Sequence, residues 1–222
     1  MATVGADRPK RETYRHGDLR RALVEAGIEL AREGGPDAVV LRAATRQVGV
    51  APNAAYRHFA DRRALQRAVC AAAQAELARA MEAELDALTP VGDAAAAALD
   101  RLRAFGAAYL RFARTEQGLF RTAFSVPTDM AGSTNPQLAG NTGSPPFQLL
   151  GRALDELVSV GVLPADRRPG AEFVTWSAVH GLAVLLIDGP LRGVDRAVTD
   201  DIEERLMEMV EHGLRNPIAR QD

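Results

Sequence analysis

Asn53 and Arg57 are the residues of this chain best equipped to read a nucleic acid. An asparagine amide matches the exposed edge of adenine, and a guanidinium matches that of guanine, each through two hydrogen bonds in the DNA major groove. Four residues apart, they share one face of a helix. Ala54 and His58 flank that face, with His58 able to touch a base or the backbone. The plain alternative for each side chain is an ordinary solvated helix surface. A second concentration of chemistry lies downstream, where eight of the eleven aromatic residues fall between positions 105 and 176. Phe105, Tyr109, Phe112, Phe120, Phe124, Phe147, Phe173 and Trp176, joined by His180, suit an apolar cavity with a few polar groups. Taken singly, each aromatic also fits an ordinary core position.

Something must hold Asn53 and Arg57 outward, and the surrounding sequence supplies it. Leu41–Val48 reads as a short helix stopped by Gly49; Pro52 suits the first position of a second short helix reaching Phe59. Two short helices joined by a tight glycine turn form a helix-turn-helix. Leu41, Ala44, Val48 and Val50 give it an inner face, and Phe59 belongs to the core. Before it, a helix capped by Asp18 runs to Gly34-Gly35-Pro36. After it, Asp61 caps a long helix to about Leu88. Further helices are expected over about 93–114, 117–124, 146–160, 169–187 and 199–214, with Val126–Pro146 as the one long irregular stretch. The fold class is therefore all-α.

Charge divides the chain in the same place. Residues 1–69 carry 13 Lys and Arg against 8 Asp and Glu, whereas residues 70–222 carry 14 against 21. A basic head on an acidic body suits a polyanion partner at one end only. The single cysteine, Cys70, excludes an internal disulfide or a cysteine-based metal cluster. The N-terminal stretch has no apolar core of a secretory signal. Phe173–Ile187 is 15 residues long and carries Thr, Ser and His, short of the roughly 20 a bilayer span needs. These features lead to the expectation of a cytoplasmic protein with no membrane partner.

At the residues of the head the sequence resembles the TetR family of bacterial transcriptional regulators. The likeness is carried by Tyr14–Arg20, Ala26–Leu30, Gly49, and Tyr56-Arg-His-Phe59-Ala-Asp-Arg-x-Ala-Leu65. Downstream, Gln117–Phe124 and Trp176-Ser-Ala-Val-His180-Gly181 are similar to the subgroup named for its Trp/His/Gly signature. The resemblance implies an all-helical homodimer with an N-terminal three-helix helix-turn-helix DNA-binding domain and a C-terminal helical-bundle domain for effector binding and dimerisation. The corresponding division is a basic arm over 1–13, a DNA-binding domain over 14–70 and the effector and dimerisation domain over 71–222. It further implies that Tyr56 packs its ring and sets its hydroxyl on a phosphate, and that Arg62 and Arg46 contact phosphates. Val40 and Ala51 depart from the family's Ser or Thr at helix starts, each forfeiting a cap worth about 1 kcal/mol.

The remaining candidates follow from position. Lys10, Arg11, Arg15 and His16 form a basic arm suited to phosphate or minor-groove contact, or else a solvated tail. Trp176 and His180 share a helix face, and His180 either bonds an effector or is a satisfied buried histidine. The helix Phe173–Ile187 is apolar on nearly every side and needs burial all round. Ser177 and Gly181 would let backbones approach closely, and Ile202, Leu206, Met209, Val210 and Gly213 give the last helix a matching face. Two such helices from each of two subunits would make a four-helix dimer interface; burial inside one subunit is the alternative.

The expected partners are thus double-stranded operator DNA, a small-molecule effector and a second copy of the chain, with no cofactor and no metal. Two other functions are conceivable from the sequence. An enzyme using the C-terminal cavity lacks a nucleophile pair, a phosphate loop or metal-ligand spacing, since His16, His58, His180 and His212 are scattered. A dimerisation scaffold without DNA binding is the other, prompted by Val40 and Ala51.

Overall fold

The computed structural model describes residues 16–89, 91–127 and 135–216. Among these are nine α-helices and no strand. They are α1 (His16–Ala38), α2 (Leu41–Val48), α3 (Pro52–Ala55), α4 (Arg62–Ala87), α5 (Ala94–Thr115), α6 (Gln117–Ala123), α7 (Pro146–Ser159), α8 (Ala171–Ile187) and α9 (Arg196–Arg215). No helix of the described residues is long and apolar enough to cross a membrane.

Local signals account for most boundaries. Asp61 and Asp93 accept hydrogen bonds from the amides of Ala64 and Ala96, at 2.7 and 2.8 Å, and so start α4 and α5. Gly49 ends α2 with φ 74°, a left-handed conformation that lets its amide and that of Val50 bond back to Arg46 and Thr45. Gly35 breaks α1 with φ 66° and ψ −162°, and Pro36 begins one further turn. Two starts differ from expectation. Helix α1 begins at His16, so Asp18 lies inside the first turn and not ahead of it. Helix α9 begins at Arg196, which pairs with Asp200 at 2.8 Å one turn on.

The recognition segment is more abbreviated than its sequence suggests. Regular helix ends at Ala55, and a turn bonding His58 and Phe59 to the Ala55 carbonyl carries the chain to Phe59. Part of the stretch 126–146 is ordered: Pro136–Leu138 forms a 3-10 turn capped by Asn135, and residues 140–144 close a tight loop. Residues 128–134 of that stretch lie outside the described residues, as do Lys10, Arg11 and Arg15.

One hydrophobic core runs through the molecule. Leu23 of α1, Leu65 and Leu77 of α4, Leu102 of α5, Leu119 of α6 and Leu154 of α7 are all but sealed from solvent within it. Each contributes about 1.5–3 kcal/mol by burial. Helix α4, roughly 40 Å long at 1.5 Å per residue, packs on α1 at the head end and on α5, α6 and α7 at the body end.

Helix α6 is wedged between α1 and α4. Gly118 presses on the α1 backbone so closely that a Cβ there would lie 2.6 Å from the Arg32 carbonyl oxygen. On the other side, Gln74 of α4 donates to the Ala123 carbonyl at 2.7 Å. Arg32 pins the junction, reaching Glu76 of α4 at 3.1 Å and Glu116 before α6 at 3.2 Å. The head is therefore gripped by α6 as well as continued by α4.

Candidate functional site

Helices α1 to α3 form the head. Leu41, Ala44, Ala55 and Phe59 are buried and turn the opposite faces outward. Arg46, Asn53 and Arg57 are exposed, as a reading surface requires, while Ala54 and His58 are half-buried. Neither Val40 nor Ala51 supplies a side-chain cap, consistent with their chemistry.

One expectation for the head needs correction, and one residue has a further role. Tyr56 does not pack its ring inward: it is 55% exposed. Ala55 and Phe59 occupy the inner face, and Tyr56, one residue beyond Ala55, is rotated about 100° away from it. Arg62 is not a side chain held ready for phosphate alone. Its guanidinium donates to the carbonyls of Val39 at 3.1 Å and Asp37 at 2.9 Å. Those acceptors sit at the end of α1, where helix carbonyls lack internal partners, so Arg62 fixes the α1–α2 connection. Arg20 lies over the Phe59 ring at 5.2 Å, a cation–π contact that ties α1 to the recognition segment.

The body holds a partly open apolar cavity of about 40 Å³ between α4, α5, α7, α8 and α9. Phe105, Tyr109, Phe124, Phe147 and Trp176 line it, five of the nine residues expected there. The other four lie elsewhere. Phe112 is buried in the core two turns of α5 beyond Phe105 and past the cavity's end. Phe120 and His180 stand behind the wall. Phe120 meets the Tyr109 ring edge-on at 5.5 Å, and His180 meets Phe124 at 4.8 Å. Phe173 packs on Phe147 at 5.2 Å but is 49% exposed on its other side.

A polar chain crosses this aromatic cluster. Trp176 Nε1 donates to the Tyr109 hydroxyl at 3.1 Å, and that hydroxyl lies 2.7 Å from His180 Nδ1. The order that satisfies all three groups has the tyrosine donating to Nδ1 while His180 carries its proton on Nε2. Burial pushes the Tyr109 phenol far above its ordinary range, with the Trp176 bond opposing it, and burial pushes the His180 imidazolium down. Both groups are uncharged at neutral pH. His180 is thus a satisfied histidine held by Tyr109.

Four positions at or beside the cavity carried no signal in the sequence. Met81 of α4 and Met207 of α9 close the cavity with flexible side chains. Thr175, 3% exposed, is among its lining residues, and the buried hydroxyl of Thr175 has no hydrogen-bond partner. Glu82, beside Met81, accepts from the Asn141 amide at 2.6 Å, the Thr142 amide at 2.9 Å and the Thr142 hydroxyl at 2.6 Å. Burial raises this carboxyl's pKa, but these bonds outweigh it, and the net shift is downward. Glu82 thereby ties α4 to the loop that leads into Pro146 and Phe147 of the cavity wall.

Within one chain α8 is not buried all round. Val174, Ser177, Gly181, Val184 and Leu185 lie along an exposed face, and Val174 is 73% exposed. On α9, Met209 is 70% exposed and Gly213 is open, while Ile202, Leu206 and Val210 are half-buried against the core.

Comparison with known proteins gives a consistent picture. Residues 23–69 match the model described as bacterial regulatory proteins of the tetR family. Residues 102–210 match that of the tetracyclin repressor-like C-terminal domain. No curated protein matches the chain. Among solved structures, a protein of unknown function from Rhodococcus sp. RHA1 is similar, with 25% identity and a TM-score of 0.69, over 93% of this chain and 100% of that one. A Shewanella sp. PV-4 protein assigned to the tetR family of transcription regulators shares the fold at 15% identity and TM-score 0.59, covering 90% and 99%. So does one from Mesorhizobium loti MAFF303099 with the same assignment, at 13% identity and TM-score 0.54, covering 89% and 96%. With a helix-turn-helix head and a helical body each matched over most of its length, the chain belongs to the TetR family and is a transcription regulator.

Proposed function

We propose that the protein is a ligand-responsive repressor, a homodimer that holds a palindromic operator and releases it when a small molecule enters the apolar cavity. The observation that carries this reading is the position of the cavity. Its wall includes Met81 of α4 and Phe124 at the end of α6, and both helices abut α1 of the head. A molecule that parts these walls acts directly on the two elements that orient the head.

In this reading Asn53, Ala54, Arg57 and His58 address bases, and Arg46 and Tyr56 address the backbone, with Arg11 and Arg15 adding to it from the arm. The exposed hydroxyl of Tyr56 suits that role better than a packed ring would. Arg62 shapes the head and can offer a phosphate only the part of its guanidinium turned from Val39. The open faces of α8 and α9 pair with those of a second copy through Ser177, Gly181, Ile202, Leu206, Met209, Val210 and Gly213. Two heads so joined must stand about 34–36 Å apart to enter successive major grooves. An effector shifts this arrangement only by its preference for one spacing; passing from 99:1 to 1:99 needs about 5.5 kcal/mol. We further read the C-terminal half as the Trp/His/Gly type, since Trp176 and His180 are joined through one tyrosine hydroxyl.

The test is a binding titration on a palindrome close to the protein's own gene, at physiological salt, against random duplex of equal length. Specific affinity exceeding the random value by about 10³ or more is expected. Equal affinities would refute the proposal and favour a scaffold without specific DNA binding.

A further inference from the structure

We propose that the cavity takes an uncharged, largely apolar molecule bearing a single hydrogen-bonding oxygen, and that the Thr175 hydroxyl is its anchor. The inference rests on the effector-cavity reading above and adds the chemical class of the occupant. Three observations carry it.

The first is the absence of charge among the lining residues. The wall is built from Met, Leu, Phe, Pro, Val and Gly together with Tyr109, Trp176 and Thr175. A carboxylate, phosphate or ammonium placed there would lose its water and find no counter-charge, which is prohibitive for an ion. The second is that the obvious polar groups are already committed. The Trp176 N–H is given to Tyr109, and the Tyr109 hydroxyl is engaged with His180. A ligand that took either of these two protons would have to break the chain and leave a buried group unpaired. The third is that Thr175 alone of the lining residues has a buried side-chain polar atom with no partner. Buried hydroxyls are nearly always satisfied, and one left open beside a cavity is matched by a guest that can accept or donate.

Size narrows the class further. A free space of about 40 Å³ is below the ~150 Å³ of a dry cavity that holds benzene. A ring-sized guest therefore enters only if flexible side chains move aside, and Met81 and Met207 are the ones placed to do so. The guest is compact and displaces those two methionines.

Trp176, the only tryptophan of the chain, lines the cavity and reports occupancy by its fluorescence. Three probes of one shape separate the claims when titrated into the full-length protein at neutral pH: benzyl alcohol, toluene and benzoate. Benzyl alcohol is expected to bind more tightly than toluene by roughly 2- to 10-fold, the worth of one hydrogen bond, and benzoate not to bind. In Thr175→Val, which keeps the shape and removes the oxygen, that preference disappears; in Thr175→Ser, which keeps the oxygen, it returns. Thr175 also borders the groove between α8 and α9, so self-association is measured in parallel. A valine variant with altered self-association and an unchanged benzyl alcohol to toluene ratio would overturn the anchor. Benzoate binding as tightly as benzyl alcohol would overturn the uncharged class while sparing the cavity. If none of the three alters Trp176 fluorescence or the unfolding temperature, the effector-cavity reading itself fails.

Discussion

Replacing Gly118 by alanine sets two opposed effects against each other, and the sign of the result decides between them. In an open helix the change would stabilise by up to about 1 kcal/mol, because alanine is the better helix former. In this molecule the new methyl would lie 2.6 Å from the Arg32 carbonyl oxygen and nearer still to that of Ala31. Restoring an ordinary separation of about 3.5 Å from the nearer oxygen requires α6 to withdraw from α1 by about 1.4 Å. Neither obstacle is a side chain that can swing away; both are helix backbone. Overpacking of this kind costs about 1–3 kcal/mol; with two backbone oxygens in the way the upper part of that range, about 2–3 kcal/mol, applies, so after the helix-propensity gain a net loss of about 1–2 kcal/mol is expected. For a chain of this length each kcal/mol lowers the melting temperature by roughly 2–4 °C, giving a fall of about 2–8 °C. Circular dichroism melts at one fixed protein concentration measure it, since self-association would otherwise move the midpoint. A variant as stable as the parent, or more stable, would refute the claim that α6 is clamped on α1.

Three further outcomes are expected. Arg57→Ala should weaken operator binding and relax base preference at one position by about 1–3 kcal/mol, with little change on random duplex, in competition titrations. Val174→Asp, which places a carboxylate on the exposed face of α8, should leave the fold intact and shift the protein to monomer in sedimentation experiments; an unchanged mass would remove that face from the interface. Glu82→Gln should cost about 1–3 kcal/mol at neutral pH, because the amide turns an NH2 towards a backbone N–H that the carboxylate accepted. Glu82 has a depressed pKa when folded, so its contribution is full above the ordinary carboxylate range and is lost as pH falls through the folded value. The gap between parent and variant should accordingly close on acidification, and a gap independent of pH would count against the carboxylate's role.

Where structure depends on neighbours in sequence, the chain was legible. Asp61 and Asp93 cap, Gly49 turns, Gly35 breaks, and the helix-turn-helix sits where Leu41, Ala44 and Phe59 require. Legibility ended where a role depends on a partner distant in sequence. Gly118 matters because α1 passes beside it, and nothing within α6 announces that. Thr175 stands in an apolar helix, where its hydroxyl invites no notice until every neighbouring polar atom has been assigned. Phe112 follows Phe105 and Tyr109 at faultless helical spacing, yet the cavity is only about two turns deep and stops before it. Arg62 looks like a surface cation until the Asp37 and Val39 carbonyls are found beneath it. The stretch 126–146 has no apolar period, but the Glu82 carboxylate organises part of it from α4.

The uninterrupted core has a consequence for how the protein comes apart. Because Leu23 and Phe59 belong to the same packed cluster as Leu154 and Ile187, the DNA-facing end is not a detachable module. Severed from the rest near Cys70, it would bare to water the flank of α1 on which α6 rests. Such a fragment should be molten or insoluble rather than a miniature binder. The intact chain, by the same logic, should give one calorimetric transition instead of two.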